Sequence, residues 1–117
     1  MINGAHVIIY SKDADADRAF LKDVLGFHSV DAGYGWLIFA LPPAEVACHP
    51  GEENNQHQLY LMCADLAQTI AALDAKGIQC TEVQEVPWGR LTQIKLPSGG
   101  LLGLYQPTHP TAATLSS

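Results

Sequence analysis

The chain has 117 residues, enough for one domain with a sizeable core. Apolar residues make up 48% and charged residues 15%, which excludes a disordered chain. The net charge is −6 and the six Lys and Arg are scattered, so neither nucleic acid nor an anionic membrane is an expected partner.

Residues 4–11 read as a strand built on His6-Val7-Ile8-Ile9-Tyr10. Asp13 is a suitable helix N-cap, and Asp15 and Asp17 suit the positive end of a helix dipole. Ala16, Ala19, Phe20 and Val24 recur at three- and four-residue spacing, with Leu21 and Leu25 beside them. That pattern predicts an amphipathic helix over 14–25, stopped by Gly26. Short strands follow at 27–32, 34–41 and 44–49, punctuated by Gly33, Gly35 and Pro42-Pro43. Residues 51–56 offer nothing apolar to a core and read as a linker. A strand at 57–63 then leads to a helix over 66–76, capped by Asp65 and ended by Gly77. Strands are predicted at 78–85, 89–96 and 101–106, and the tail from Thr108 is expected to be flexible.

No apolar run approaches the length of a membrane helix, and the N-terminus lacks a signal-peptide pattern, so a cytoplasmic location is expected. Cys48, Cys63 and Cys80 form no CxxC motif and read as small buried hydrophobes in a reducing compartment.

The order βαβββ occurs twice. Gly26 and Gly77, each followed by an apolar residue, superpose under a shift of 51. Leu41-Pro42 matches Leu96-Pro97, and Val46-Ala47-Cys48-His49-Pro50 matches Gly103-Leu104-Tyr105-Gln106-Pro107. One domain over 1–117 is expected, with a module at 4–50, a linker at 51–56, a module at 57–107 and a tail at 108–117. A doubled half-domain puts its function in the groove between the copies.

This organisation resembles the vicinal oxygen chelate superfamily: glyoxalase I, bleomycin-resistance proteins and extradiol dioxygenases. The resemblance covers residues 4–107. It rests on His6-Val7-Ile8-Ile9-Tyr10 before an acid-capped helix ending Val24-Leu25-Gly26-Phe27, and on the closure Leu96-Pro97-Ser98-Gly99-Gly100-Leu101-Leu102-Gly103-Leu104. It implies an α+β fold in which two βαβββ modules form a curved mixed sheet around a cavity, with the helices outside. Members that hold a metal take one ligand from the first and one from the fourth strand of each module.

Period-two alternation assigns the faces of these strands. His6, Ile8 and Tyr10 are expected in the cavity, as are Gln58, Tyr60 and Met62, with Leu59, Leu61 and Cys63 under the helix. The shift of 51 would pair His6 with His57. Counting back from the strand ends pairs it with Gln58, and the better apolar face favours that count, with the extra residue in the first turn before the first helix. The four ligand positions implied by the resemblance then read His6, Val46, Gln58 and Gly103, or Glu45 in place of Val46 after a slip of one. Divalent metals want three or four N or O donors, so no metal is expected.

Tyr10, Tyr60 and Tyr105 share the face assigned to the cavity, and Trp36 and Trp88 lie on or next to strands around it. Three phenols suit a pocket that stacks on a flat small molecule better than they suit a dry core. Arg90 is the cation placed to meet an anionic ligand. His6 is the acid–base candidate, because histidine changes charge near neutral pH. The expected function is metal-independent binding of a small organic molecule by His6, Tyr10, Gln58, Tyr60, Tyr105, Trp88 and Arg90, in a homodimer. The binding is either catalytic through His6 or sequestering, as in bleomycin-resistance proteins. One alternative is a metal-dependent lyase, isomerase or dioxygenase using His6, Glu45 and His57 on vicinal oxygens. The other is a structural or interaction domain without a ligand.

Overall fold

The computed structural model describes residues 6–45, 47–50 and 52–112. Helix α1 spans Ala14–Asp23, and helix α2 spans Leu66–Asp74. Their starts are built alike: Asp13 accepts from Ala16 N at 3.2 Å, and Asp65 accepts from Gln68 N at 3.0 Å. Such a cap is worth about 1 kcal/mol. Both helices also end alike, on glycines in the left-handed region, Gly26 at φ +72° and Gly77 at φ +77°. With ten residues in α1 and nine in α2, the extra residue of the first module lies inside α1, not in the turn before it.

The second module is complete. Strands β3 (Tyr60–Met62), β4 (Gln84–Val86), β5 (Gly89–Lys95) and β6 (Leu101–Pro107) form a mixed sheet in the order β3-β6-β5-β4. The sheet is closed by β6, which runs parallel to β3 and antiparallel to β5. The predicted strand at 78–85 is shorter than expected; Cys80 makes only an isolated bridge to Ile94.

Both helices cover one face of this sheet. Phe20 from α1 joins Leu66, Leu73, Ile94, Leu96, Leu102 and Leu104 in one buried cluster. Each such side chain contributes about 1.5–3 kcal/mol by leaving water. Leu59, Leu61 and Cys63 pack against this cluster, so β3 has the faces predicted by counting from the strand ends. Asp17 does more than complement the helix dipole. It is buried and accepts from Ser98 N at 3.1 Å and Ser98 Oγ at 2.7 Å, tying α1 to the β5–β6 turn.

The first module is less complete than predicted. Its strands are β1 (Ser29–Asp31) and β2 (Leu37–Phe39), an antiparallel pair forming a sheet of its own. Residues 6–10 form no strand, and Val7, Ile8 and Ile9 are 49%, 63% and 41% exposed. The described residues of 44–49 form no strand either, and Val46 lies outside the described residues. An apolar run becomes a strand only when a neighbouring backbone takes its hydrogen bonds, and among the described residues none does.

The tail is held at its start: Thr108 N donates to Trp88 O at 3.0 Å, and Thr108 Oγ1 donates to Pro87 O at 3.2 Å. Among the described residues no helix is long and apolar enough to cross a membrane.

Candidate functional site

On the face of β6 opposite the helices, Gly103 and Tyr105 alternate with Leu102 and Leu104, and all four are buried, Tyr105 at 8% exposure. Tyr60 opens β3 directly beside Gly103, and Trp88 sits in the two-residue turn between β4 and β5. These three aromatics meet edge to face. Ring centres lie 5.6 Å apart for Tyr60–Tyr105, 6.1 Å for Tyr60–Trp88 and 5.3 Å for Trp88–Tyr105, with interplanar angles of 81–88°. Edge-to-face pairs at this spacing add about 0.5–1.5 kcal/mol beyond their buried area.

Two glycines make room for them. A Cβ at Gly103 would run into the Tyr60 ring, and one at Gly89 would stand 2.6 Å from Gln106 O and 3.3 Å from Tyr105 Cδ2. The triad therefore depends on the absence of side chains at both positions.

The triad borders a groove of about 1150 Å³ that also takes in Glu45, His49, His57, Gln58 and His109. The groove wraps the free edge of β3, so Leu59 and Leu61 border it while packing on the core. His49 stands edge-on to Trp88 at 6.3 Å. The first part of the tail closes one side. The His109 ring tilts over Tyr105 at 6.1 Å, and Ala112 N donates to Glu45 Oε1 at 2.8 Å. His109 Nδ1 lies 2.7 Å from Pro110 O, so in the neutral ring Nδ1 donates there and Nε2 accepts from the Tyr105 hydroxyl at 3.3 Å. Burial pushes the Tyr105 phenol above its usual range, and the negative charge of Glu45 adds to the effect.

The structure thus brings together Gln58, Tyr60, Trp88 and Tyr105 from the predicted set. The other three lie elsewhere. Tyr10 is 91% exposed and His6 is exposed, because their segment has no strand partner and alternation therefore assigns them no face. Arg90 pairs with Gln106 in the β5–β6 register, which puts it on the helix side, where it bonds Glu85 at 3.1 Å. Trp36 is 64% exposed beneath the Arg18 guanidinium, 4.7 Å from its ring centre.

The sequence offers Glu45 only as an alternative metal ligand and puts the tail from Thr108 outside the site, so the joint place of Glu45 and His109 at the groove is not directly legible from it. Pro107 and Pro110, which stiffen the chain around His109, were the available signal.

A metal fits these residues poorly. Among the described residues no three His, Cys, Asp or Glu side chains converge as a metal site. His6 does not border the groove, and the Tyr60 ring fills the space that a ligand side chain at Gly103 would need.

No protein-family model and no curated protein matches the sequence. Solved structures do match. An antibiotic-binding protein, TnmS3 from a Streptomyces species, superposes with a TM-score of 0.64 at 24% identity, over 92% of this chain and 100% of that one. Lactoylglutathione lyase from Agrobacterium tumefaciens gives 0.63 at 18% identity, over 89% and 92%. A member of the glyoxalase/bleomycin resistance protein/dioxygenase superfamily from Sphaerobacter thermophilus gives 0.60 at 22% identity, over 90% and 98%. The chain has the fold of the glyoxalase/bleomycin resistance protein/dioxygenase superfamily, the vicinal oxygen chelate fold.

Proposed function

We propose that this protein binds a flat small organic molecule on the Tyr60–Trp88–Tyr105 surface without a metal. The observation that carries the reading is the triad itself, three aromatic side chains gathered at an open groove over two glycines. Dry cores hold mostly aliphatic side chains and Phe, which carry no phenol or indole to satisfy, and this protein already has such a core on the other face of the sheet. Aromatic surface with a few convergent polar groups is the usual make-up of a small-molecule site. TnmS3 is an antibiotic-binding protein with this fold, and the present chain is read as a binder or sequestering protein of that general kind.

Independence from metal follows from the poor fit of the donor positions. The test is isothermal titration with a panel of planar aromatic compounds in the presence of a chelator. At least one compound should bind, and Trp88→Ala and Tyr60→Ala should each weaken it at least about tenfold, as for other stacking contacts. Binding that appears only with added divalent metal, or that ignores Trp88→Ala, would overturn the reading.

A homodimer belongs to the same proposal. Val30, Trp36 and Leu41 are 59%, 64% and 40% exposed, a heavy apolar load for one monomer to leave in water. Sedimentation of the intact chain should give twice the chain mass; a monomer at all concentrations would refute it. The three free cysteines support a reducing, cytoplasmic location.

A further inference from the structure

Apart from His49, His57 and His109, the groove carries charge of one sign. Among the described residues lining it, Glu45 is the acidic one, and none is Lys or Arg. The carboxylate is held in place: Oε1 accepts from Ala112 N at 2.8 Å, and the side chain is only 19% exposed. Oε2 stands 4.0 Å from His109 Nε2. In the neutral ring that nitrogen already accepts from Tyr105, so it has no proton to share with Glu45. With the ring neutral, Nε2 does not pair with the Glu45 carboxylate, and Tyr105 feels the negative charge of that carboxylate.

The rings add to the same field. The face of an aromatic ring is electron-rich, and cations within about 6 Å of its centre are attracted to it. Tyr60, Trp88 and Tyr105 meet edge to face and so aim their faces in different directions. An anion entering the groove would meet a carboxylate and ring faces, both repulsive. A cation would be stabilised by both. The cation expected from sequence to serve an anionic ligand, Arg90, is committed to Glu85 on the other side of the sheet.

We propose that the groove takes an organic cation: a planar aromatic molecule bearing an ammonium group, with the ammonium at Glu45 and the aromatic part against Tyr60 and Trp88. This rests on the groove being a ligand site at all, and it names the chemical class of the ligand.

Three probes that share a naphthylmethyl group and carry a positive, neutral or negative substituent test it: (naphthalen-2-ylmethyl)trimethylammonium, naphthalen-2-ylmethanol and naphthalen-2-ylmethanesulfonate. Titration calorimetry is run at pH 8, above the usual titration of histidine, with chelator present. The ammonium should bind about tenfold more tightly than the alcohol, and the sulfonate more weakly than either. In Glu45→Gln, whose amide oxygen still accepts from Ala112 N, the ammonium should lose most of its advantage over the alcohol, leaving only the share due to the ring faces. If the alcohol or sulfonate binds as tightly as the ammonium, the charge assignment is overturned and the aromatic binding surface stands. Equal weakening of all probes by Glu45→Gln gives the side chain a structural role and also overturns it. Binding by none of the three overturns both readings.

Discussion

The two modules share one sequence pattern and differ in how far each closes on itself. In the second, β6 lies between β3 and β5, so the chain returns to its own first strand. In the first, α1 is capped as well as α2, yet residues 6–10 stay exposed and, among the described residues, β1 and β2 pair only with each other. Apolar alternation marks a segment that can be a strand; an available edge decides whether it becomes one. The labour is divided accordingly. The second module supplies the sheet, most of the core and the aromatic floor of the groove. The first supplies α1, which covers the core, and the loop carrying Glu45.

The largest expected contrast is in stability. Leu66 is fully buried in the cluster, so Leu66→Ala should cost about 2–5 kcal/mol in urea unfolding. Ile8→Ala, at a residue 63% exposed, should change stability by less than about 0.5 kcal/mol. Equal losses would mean that the first module is as firmly packed as the second.

Gly103→Ala comes next. Its Cβ would push against the Tyr60 ring, at a cost of about 1–3 kcal/mol and with a change in Trp88 fluorescence as the triad shifts. An unchanged spectrum and stability would show that the triad does not depend on this glycine.

Asp17→Ala probes the tie between the modules. It removes the acceptor of Ser98 N and Ser98 Oγ and should cost about 1–3 kcal/mol. A neutral result would mean that α1 is held by Phe20 and its apolar neighbours alone.

The smallest effect is alkaline. The raised Tyr105 phenol favours the protonated form in the folded state. Its contribution to stability is fully present below the unfolded value of about 10 and is lost as pH rises through the folded value. Spectrophotometric titration should show one tyrosine ionising late, and Tyr105→Phe should remove that late step. Simultaneous ionisation of all four tyrosines would contradict it.

Legibility from sequence followed the range of the interactions. The helices, their Asp caps and their glycine stops rest on contacts within a few residues and were readable. So were the faces of β3, because Leu59, Leu61 and Cys63 make one clearly better buried side. The side of Arg90 was readable in principle. Thr92, Ile94 and Leu96 alternate from it and are all buried. The partnerless first segment, with His6 and Tyr10, was not readable, because whether a strand finds an edge is a property of the whole chain. The Glu45–Ala112 bond joins positions 67 residues apart, and nothing local announces it. Asp17 had a sufficient local explanation as a helix-dipole residue, which hid its bond to Ser98.

The most direct test of the central claim is aromatic NMR of the chelator-treated protein, with the naphthyl ammonium probe added stepwise. Ring signals of Tyr60, Trp88 and Tyr105 should shift together along one saturation curve, while Tyr34 and Trp36 in the first module stay still. Shifts confined to Tyr34 and Trp36, or triad shifts that need added divalent metal, would contradict it.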